Sequence, residues 1–225
     1  MSKFFKFRTT PQLKPIQVGF FWQENTACIV YFEQEQPHTF YFSSKVEADS
    51  FLQQFPFSYQ IIQAVSYSHI WRKTLILPNL DSSLRIEQQA IQILKQSLPL
   101  DLSEITFDYQ VTPLDSNKLY QMKLYALRKN EMWEGKAVLD CELHCLLRAI
   151  VYLSEITQED TEKYCYQFQD KFIQYKDQQL TIEKQNLTDK PIFDVETLSQ
   201  TNDIPHFYPY LIALGASLWN GKASI

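Results

Sequence analysis

Glycine is scarce in this sequence. The 225 residues include four glycines, Gly19, Gly135, Gly215 and Gly221, where average usage of about 7 % would give roughly sixteen. Phosphate-binding loops depend on glycine because its missing side chain lets the main chain approach the ligand closely. The composition therefore argues against a glycine-rich nucleotide site.

Several familiar site signatures are missing as well. The chain contains no G-x-x-x-x-G-K-[ST], no G-x-S-x-G and no H-E-x-x-H motif. Cys141, His144 and Cys145 have the spacing of one helical face, but no second cysteine pair supplies a fourth ligand for zinc. We therefore expect no catalytic residue, no metal site and no cofactor.

Long apolar runs and an excess of positive charge are also lacking. The formal net charge is −5, which argues weakly against non-specific nucleic-acid binding. No apolar run reaches the ~18 residues that span a bilayer, and no signal peptide is evident, so we expect a cytoplasmic protein with reduced cysteines. The basic residues 1–14 are interpreted as a solvated tail, with contact to an anionic membrane as the alternative.

Apolar periodicity predicts a mixed α/β fold. Strand patterns cover residues 16–22, 27–32, 39–42, 59–65, 71–77, 105–111, 119–127, 164–168, 172–175 and 180–183. Helical patterns cover residues 46–55, 84–98, 142–153 and 207–219. Residues 81–127 are typical of a helix packed on a hairpin, because the apolar side chains of 105–111 alternate with polar ones and need a cover.

Three stretches of the sequence carry a resemblance to a known family. The first is the amphipathic segment 84–109, with its Pro99-Leu100 stop and the string FDY. The second is YALRK at 125–129, and the third is LDCE at 139–142 followed by LRA at 147–149. Together these stretches resemble the PilM family, the actin-like cytoplasmic component of type IV pilus and competence machines. Within that family, the chain looks most like the competence ComA and HofM branches.

The resemblance implies a reduced actin-like (RNase H-like) fold in two halves with an inserted helix-on-hairpin subdomain. Residues 1–78 and 136–156 are expected to form the first half, and residues 79–135 the insert. Residues 157–225 are expected to form a shortened second half.

The resemblance also implies where a nucleotide site has been lost. In actin-like ATPases the first hairpin carries Asp-x-Gly, and the matching triplet here is Gln17-Val18-Gly19, followed by Phe20 and Phe21. The second such triplet is expected near residues 165–170, which have the sequence CYQFQD, and no Gly-Gly is present to seat adenosine. We expect these aromatic rings to pack inside a fold without enzymatic activity. A degenerate ATPase with residual nucleotide binding is the alternative.

For function, the resemblance implies a cytoplasmic scaffold, peripheral at the inner membrane of a Gram-negative bacterium. It would bind the short cytoplasmic N-terminal tail of a PilN-like membrane protein, in contact with other platform components, during pilus extension and DNA uptake. Candidate contacts are Asp108, Tyr109, Arg128 and Trp133, with Asp108 pairing to an arginine of the tail and Trp133 as an anchor. Alternatively, Asp108 faces water and Trp133 covers the base of the insert; a membrane-surface adaptor is a further possibility.

Overall fold

A computed structural model of the chain describes residues 15–78, 83–114, 119–133, 137–168, 170–176, 179–200 and 206–221. The basic residues 1–14, the predicted cap at Asp81 or Ser82 and the polar loop 115–118 lie outside the described residues. None of the described helices is long and apolar enough to cross a bilayer.

The chain forms five α-helices and twelve strands in the part that the structure describes. The strands are β1 (Ile16–Gln23), β2 (Thr26–Glu33), β3 (Gln36–Phe42), β4 (Tyr59–Val65), β5 (Trp71–Pro78), β6 (Ile105–Pro113), β7 (Leu119–Arg128), β8 (Ala137–Cys141), β9 (Cys165–Phe168), β10 (Lys171–Lys176), β11 (Gln179–Glu183) and β12 (Ile192–Asp194). The helices are α1 (Lys45–Gln53), α2 (Ser83–Ser97), α3 (Glu142–Leu153), α4 (Thr197–Gln200) and α5 (Phe207–Ser217).

Two of the sheets share one strand order. The first runs β3-β2-β1-β4-β8, with β1 antiparallel to β2 and parallel to β4, which is parallel to β8. The second runs β11-β10-β9-β12, again with an antiparallel hairpin followed by a parallel strand. This repeat is the arrangement expected of two actin-like halves, so the predicted actin-like α/β fold is confirmed. Within the residues that the structure describes, the second sheet has one strand fewer than the first.

The third sheet belongs to the insert and has the order β5-β7-β6. Helix α2 covers one of its faces, where Ile86, Ala90 and Ile93 pack with Tyr109 and Val111. The predicted helix on a hairpin is therefore confirmed. The predicted boundary at residue 79 needs a correction, because β5 was assigned to the first half and instead pairs with β7 from Trp71 to Pro78. A two-residue period predicts a strand but does not identify its neighbour.

Helix α5 lies at the centre of the core. Every residue from Tyr210 to Ser217 is buried, and the helix packs on β1, β2 and β4 on one side and on α3 on the other. Because α5 lies within residues 157–225, it was predicted to belong to the second half. Its strand contacts are instead with β1, β2 and β4 of the first sheet. A helix that is apolar on all sides is typical of such a doubly covered position.

Two glycines allow this packing. A β-carbon at Gly19 would overlap the main-chain oxygen of Ala213, so β1 and α5 meet backbone to backbone. A β-carbon at Gly215 would overlap the main-chain oxygen of Cys145, so α5 and α3 approach equally closely. Although Gly19 lies in a strand, its missing side chain allows helix α5 to pack closely on that strand.

Replacing either packed glycine with alanine should destabilise the fold. We expect Gly19→Ala and Gly215→Ala each to lower the free energy of unfolding by about 3 kcal/mol, because main-chain atoms cannot yield as a side chain can. Gly221→Ala is the control: its φ is 85° and its surroundings are open, so only the left-handed conformation is penalised, by about 1 kcal/mol. Urea unfolding would measure all three, and equal losses would contradict the packing account.

Candidate functional site

The residues expected at a degenerate nucleotide site lie within β1 rather than at a turn. Gln17 pairs with Gln60 of β4, and Gly19 pairs with β2 and β4. The β1–β2 turn comes later, at Glu24 and Asn25. The space beside Gly19 is filled by α5, and the turn presents the exposed carboxylate of Glu24, which would repel a phosphate. These residues do not fit a nucleotide phosphate.

Phe20 and Phe21 are both buried, on opposite faces of the first sheet. Phe20 packs edge-on against Trp133, with 4.4 Å between ring centroids. Phe21 packs edge-on against Tyr208 of α5, at 5.8 Å. The prediction that these rings pack inside is confirmed for both, because the sheet is covered on its two faces. Trp22 is only partly buried.

Tyr208 joins the first strands of the two actin-like sheets. Besides its contact with Phe21 of β1, its ring stacks on Phe168 of β9, with centroids 4.7 Å apart. Its hydroxyl donates a hydrogen bond to Oε2 of Glu142 at 3.0 Å. Burial, and then the negative charge of Glu142, raise the pKa of Tyr208, so the hydroxyl remains a donor. The aromatic ring thus packs between side chains of the first strands of the two sheets.

Glu142 organises a polar cluster where β4 and β8 end. Its Oε1 accepts hydrogen bonds from the Tyr67 main-chain N–H at 2.6 Å and from the Ser66 hydroxyl at 3.1 Å. The Arg72 guanidinium lies over the Tyr67 ring at 3.8 Å and donates to the Tyr67 carbonyl at 2.7 Å. This cluster was not predicted from the sequence. The one signal for it was Glu142, an acidic residue at the start of a mainly apolar helix.

A buried charge pair lies behind the cluster. Asp140, fully buried, pairs with Arg148 and accepts the Cys141 main-chain N–H at 2.9 Å. Arg148 also donates through Nε to the Gly215 carbonyl at 2.8 Å. Within the described ranges, no three His, Cys, Asp or Glu side chains are placed to hold a metal ion. Burial raises the pKa of Cys141 to about 11, so its thiol is protonated and a poor metal ligand.

The four predicted partner-binding residues do not share one surface. Asp108 is exposed on the sheet face away from α2, and its Oδ1 accepts the N–H of Tyr109 at 2.8 Å. Tyr109 is partly buried beneath α2. Trp133 is only 7 % exposed, and its main-chain N–H donates to Gln63 Oε1 at 2.6 Å. Trp133 is therefore a buried part of the cluster around Phe20, on the face of the first sheet that α1 covers.

Arg128 lies at a groove at the base of the insert. The cavity has a volume of about 370 Å³ and opens between the ends of the insert strands and the α2–β6 connection. Its lining is formed by His69, Trp71, Leu98, Pro99, Leu100, Ile105, Ala126, Leu127 and Arg128. The lining of the groove is mainly apolar, and Arg128 contributes a positive charge to it. Apart from Arg128, the residues of this groove were not proposed from the sequence as binding residues.

No protein-family profile matches the chain, and no curated protein matches it either. Among solved structures, the chain is similar to the cytoplasmic domain of EpsL, an inner-membrane component of the type II secretion system of Vibrio cholerae. The identity is 12 % and the TM-score 0.49, covering 91 % of this chain and 95 % of that one.

Two further structures are similar in the same way. The PilM–PilN type IV pilus biogenesis complex has 12 % identity and a TM-score of 0.48, covering 92 % of this chain and 69 % of that one. A protein of Bacteroides thetaiotaomicron with an actin-like ATPase fold has 10 % identity and a TM-score of 0.35, covering 79 % and 69 %. At such identities no functional residue is transferred, and placement in a ComA- or HofM-like branch stays a prediction.

His144 on α3 is the titratable group most affected by its surroundings near neutral pH. It packs edge-on against Tyr175, with ring centroids 6.1 Å apart. Burial lowers its pKa from 6.5 to about 4, and the charges of Arg148 and Arg72 act in the same direction, while Asp140 opposes them. The folded protein therefore holds this imidazole neutral at pH values where the unfolded chain protonates it.

This difference predicts acid sensitivity. Because the folded pKa is depressed, His144 contributes full stability above pH 6.5, and the contribution falls as the pH drops from 6.5 towards 4. Between pH 7 and pH 5 we expect the parent to lose about 2 kcal/mol of unfolding free energy through this group. His144→Gln should remove that part of the slope in urea unfolding. Identical slopes in parent and variant would show that His144 is not responsible.

Proposed function

We propose that this protein is a non-enzymatic scaffold of an inner-membrane assembly platform, of the kind used in type IV pilus and type II secretion systems. The observation that carries the proposal is the position of Tyr208 between Phe21 and Phe168. A ring packed between the two first strands leaves the space between them unsuited to a nucleotide. The fold has kept its shape, and its surfaces remain available for protein contacts.

The proposed partner is a PilN-like membrane protein whose short cytoplasmic tail binds as an extended segment. Support comes from the PilM family resemblance of the sequence and from the apolar groove at the base of the insert. In this proposal the protein lies at the cytoplasmic side of the inner membrane of a Gram-negative bacterium and contacts further platform components. A role in competence and DNA uptake is the narrower form of the proposal and rests on the resemblance alone.

The competing function is a degenerate ATPase, and nucleotide binding separates the two. We expect no saturable heat when ATP with Mg²⁺ is titrated to millimolar concentration into the protein, because α5 covers Gly19 and a carboxylate occupies the β1–β2 turn. A non-hydrolysable ATP analogue gives a second titration. A dissociation constant in the micromolar range for either ligand would favour the ATPase alternative.

The partner prediction is tested with a labelled peptide of the PilN-like tail. We expect saturable binding that weakens about tenfold or more in Leu100→Glu, because a carboxylate in the apolar lining must be desolvated when the peptide docks. Leu119→Glu is the matched control, since Leu119 is 43 % exposed and lies outside the groove lining. Fluorescence anisotropy would measure both after melting curves confirm folding. Equal weakening in the two variants, or no binding by the parent, would contradict the proposal.

A further inference from the structure

The charges of the groove differ from those expected from the sequence. Arg128 is the permanently charged residue of the lining, and neither aspartate nor glutamate contributes to it. The Arg128 side chain is exposed, and it makes no hydrogen bond or ion pair with any other side chain that the structure describes. Its guanidinium donors are therefore available to a ligand.

Asp108, the expected partner for an arginine of the tail, lies elsewhere. Ile105 and Ala126 line the groove on the side of the insert sheet that α2 covers. Asp108 is three residues further along β6 than Ile105, so its side chain projects from the opposite side of the sheet. Asp101 and Glu104 in the α2–β6 connection are exposed and are not part of the lining. A cation entering the groove would meet Arg128 and be repelled, whereas a carboxylate would find a partner.

We propose that Arg128 makes this groove selective for an extended peptide segment in which a carboxylate lies beside an apolar side chain. The apolar side chain enters between Trp71 and the Pro99-Leu100 corner, and the carboxylate pairs with the guanidinium of Arg128. A guanidinium can hold a carboxylate through two parallel hydrogen bonds, which fixes the register of the peptide as well as attracting it. The inference rests on the proposed function for the source of the segment, a tail of a membrane protein.

Arg128 is then a specificity-determining residue. The apolar lining supplies sequence-tolerant affinity, because any aliphatic side chain of suitable size gains by leaving water. The charge supplies discrimination, since a lysine beside the apolar anchor meets a like charge. The preference for a carboxylate weakens at high salt, because salt screens the attraction between Arg128 and the peptide carboxylate.

Three labelled twelve-residue peptides test the inference. They share a Leu-Leu pair within an uncharged Ser/Thr sequence and differ only in the next residue, which is Asp, Asn or Lys. With the full chain at low salt, we expect the Asp peptide to bind about fivefold more tightly than the Asn peptide and more than tenfold more tightly than the Lys peptide. Raising the salt to molar concentration should bring the three affinities together.

Variants of the protein identify the residue responsible. Arg128→Glu should reverse the order so that the Lys peptide binds best, and Arg128→Gln should abolish the order. Lys123→Glu is the matched control: it makes the same charge change on the same strand, at a side chain outside the groove lining. Melting curves establish that each variant folds. If Arg128→Glu does not fold, Arg128→Gln still tests the inference.

The result that overturns the inference is equal binding of the three peptides by the parent, or an unchanged order in Arg128→Gln. The native PilN-like tail, titrated in parallel, separates this from the proposed function. Tail binding without any preference among the three peptides leaves the scaffold proposal standing and removes the selectivity. A preference for the Asp peptide without tail binding supports the selectivity and removes the partner.

Discussion

The contact between α5 and the first sheet is the constraint on which the rest of this structure depends. The helix lies on β1 at Gly19 and against α3 at Gly215, with no side chain between the main chains at either point. Close approach of this kind leaves little freedom in how the helix can be placed. Its position in turn sets that of Tyr208, one residue from its N-terminal end, and therefore the contact between the two actin-like sheets.

Buried charge is tolerated around this contact because it is paired. Asp140 and Arg148 neutralise one another, and Arg148 also satisfies a carbonyl of α5. Glu142 accepts hydrogen bonds from the adjacent residues Ser66 and Tyr67 and from Tyr208, which lies far along the chain. Loss of one member of such a group leaves a charge without its partner, which costs more than the group contributes when complete. The polar clusters therefore favour one arrangement of the elements around α5.

Much of the fold could be predicted from periodicity, because most strands and helices carry clear two-residue or helical patterns. Two strands escaped prediction: β8, with the sequence AVLDC, shows no alternation of apolar and polar residues, and β12 is only three residues long. The neighbour of β5 also escaped, since alternation carries no information on pairing. Residue 79 was a poor boundary for that reason.

The candidate site was less accessible to sequence reasoning. The burial of Phe20 and Phe21 could be predicted, because large apolar rings in a strand pattern are expected to pack inside. The role of Gly19 could not, since it depends on Ala213, nearly two hundred residues later. Trp133 illustrates the same difficulty: a large ring in a short polar segment suits an interface or a core, and only its contact with Phe20 decides between them. Arg128 was named as a candidate from the sequence, whereas the side of the sheet on which it lies required the register of β6 and β7.

One apolar cluster contains residues of both actin-like sheets, from Phe21 and Val30 of the first to Tyr166 and Ile173 of the second. Two halves that are separated by an open cleft can close on a ligand by rotation about a hinge. Here a rotation would have to part Tyr208 from Phe168 and expose core side chains to water. Closure of the two sheets by such a rotation is therefore opposed by the burial of this shared cluster.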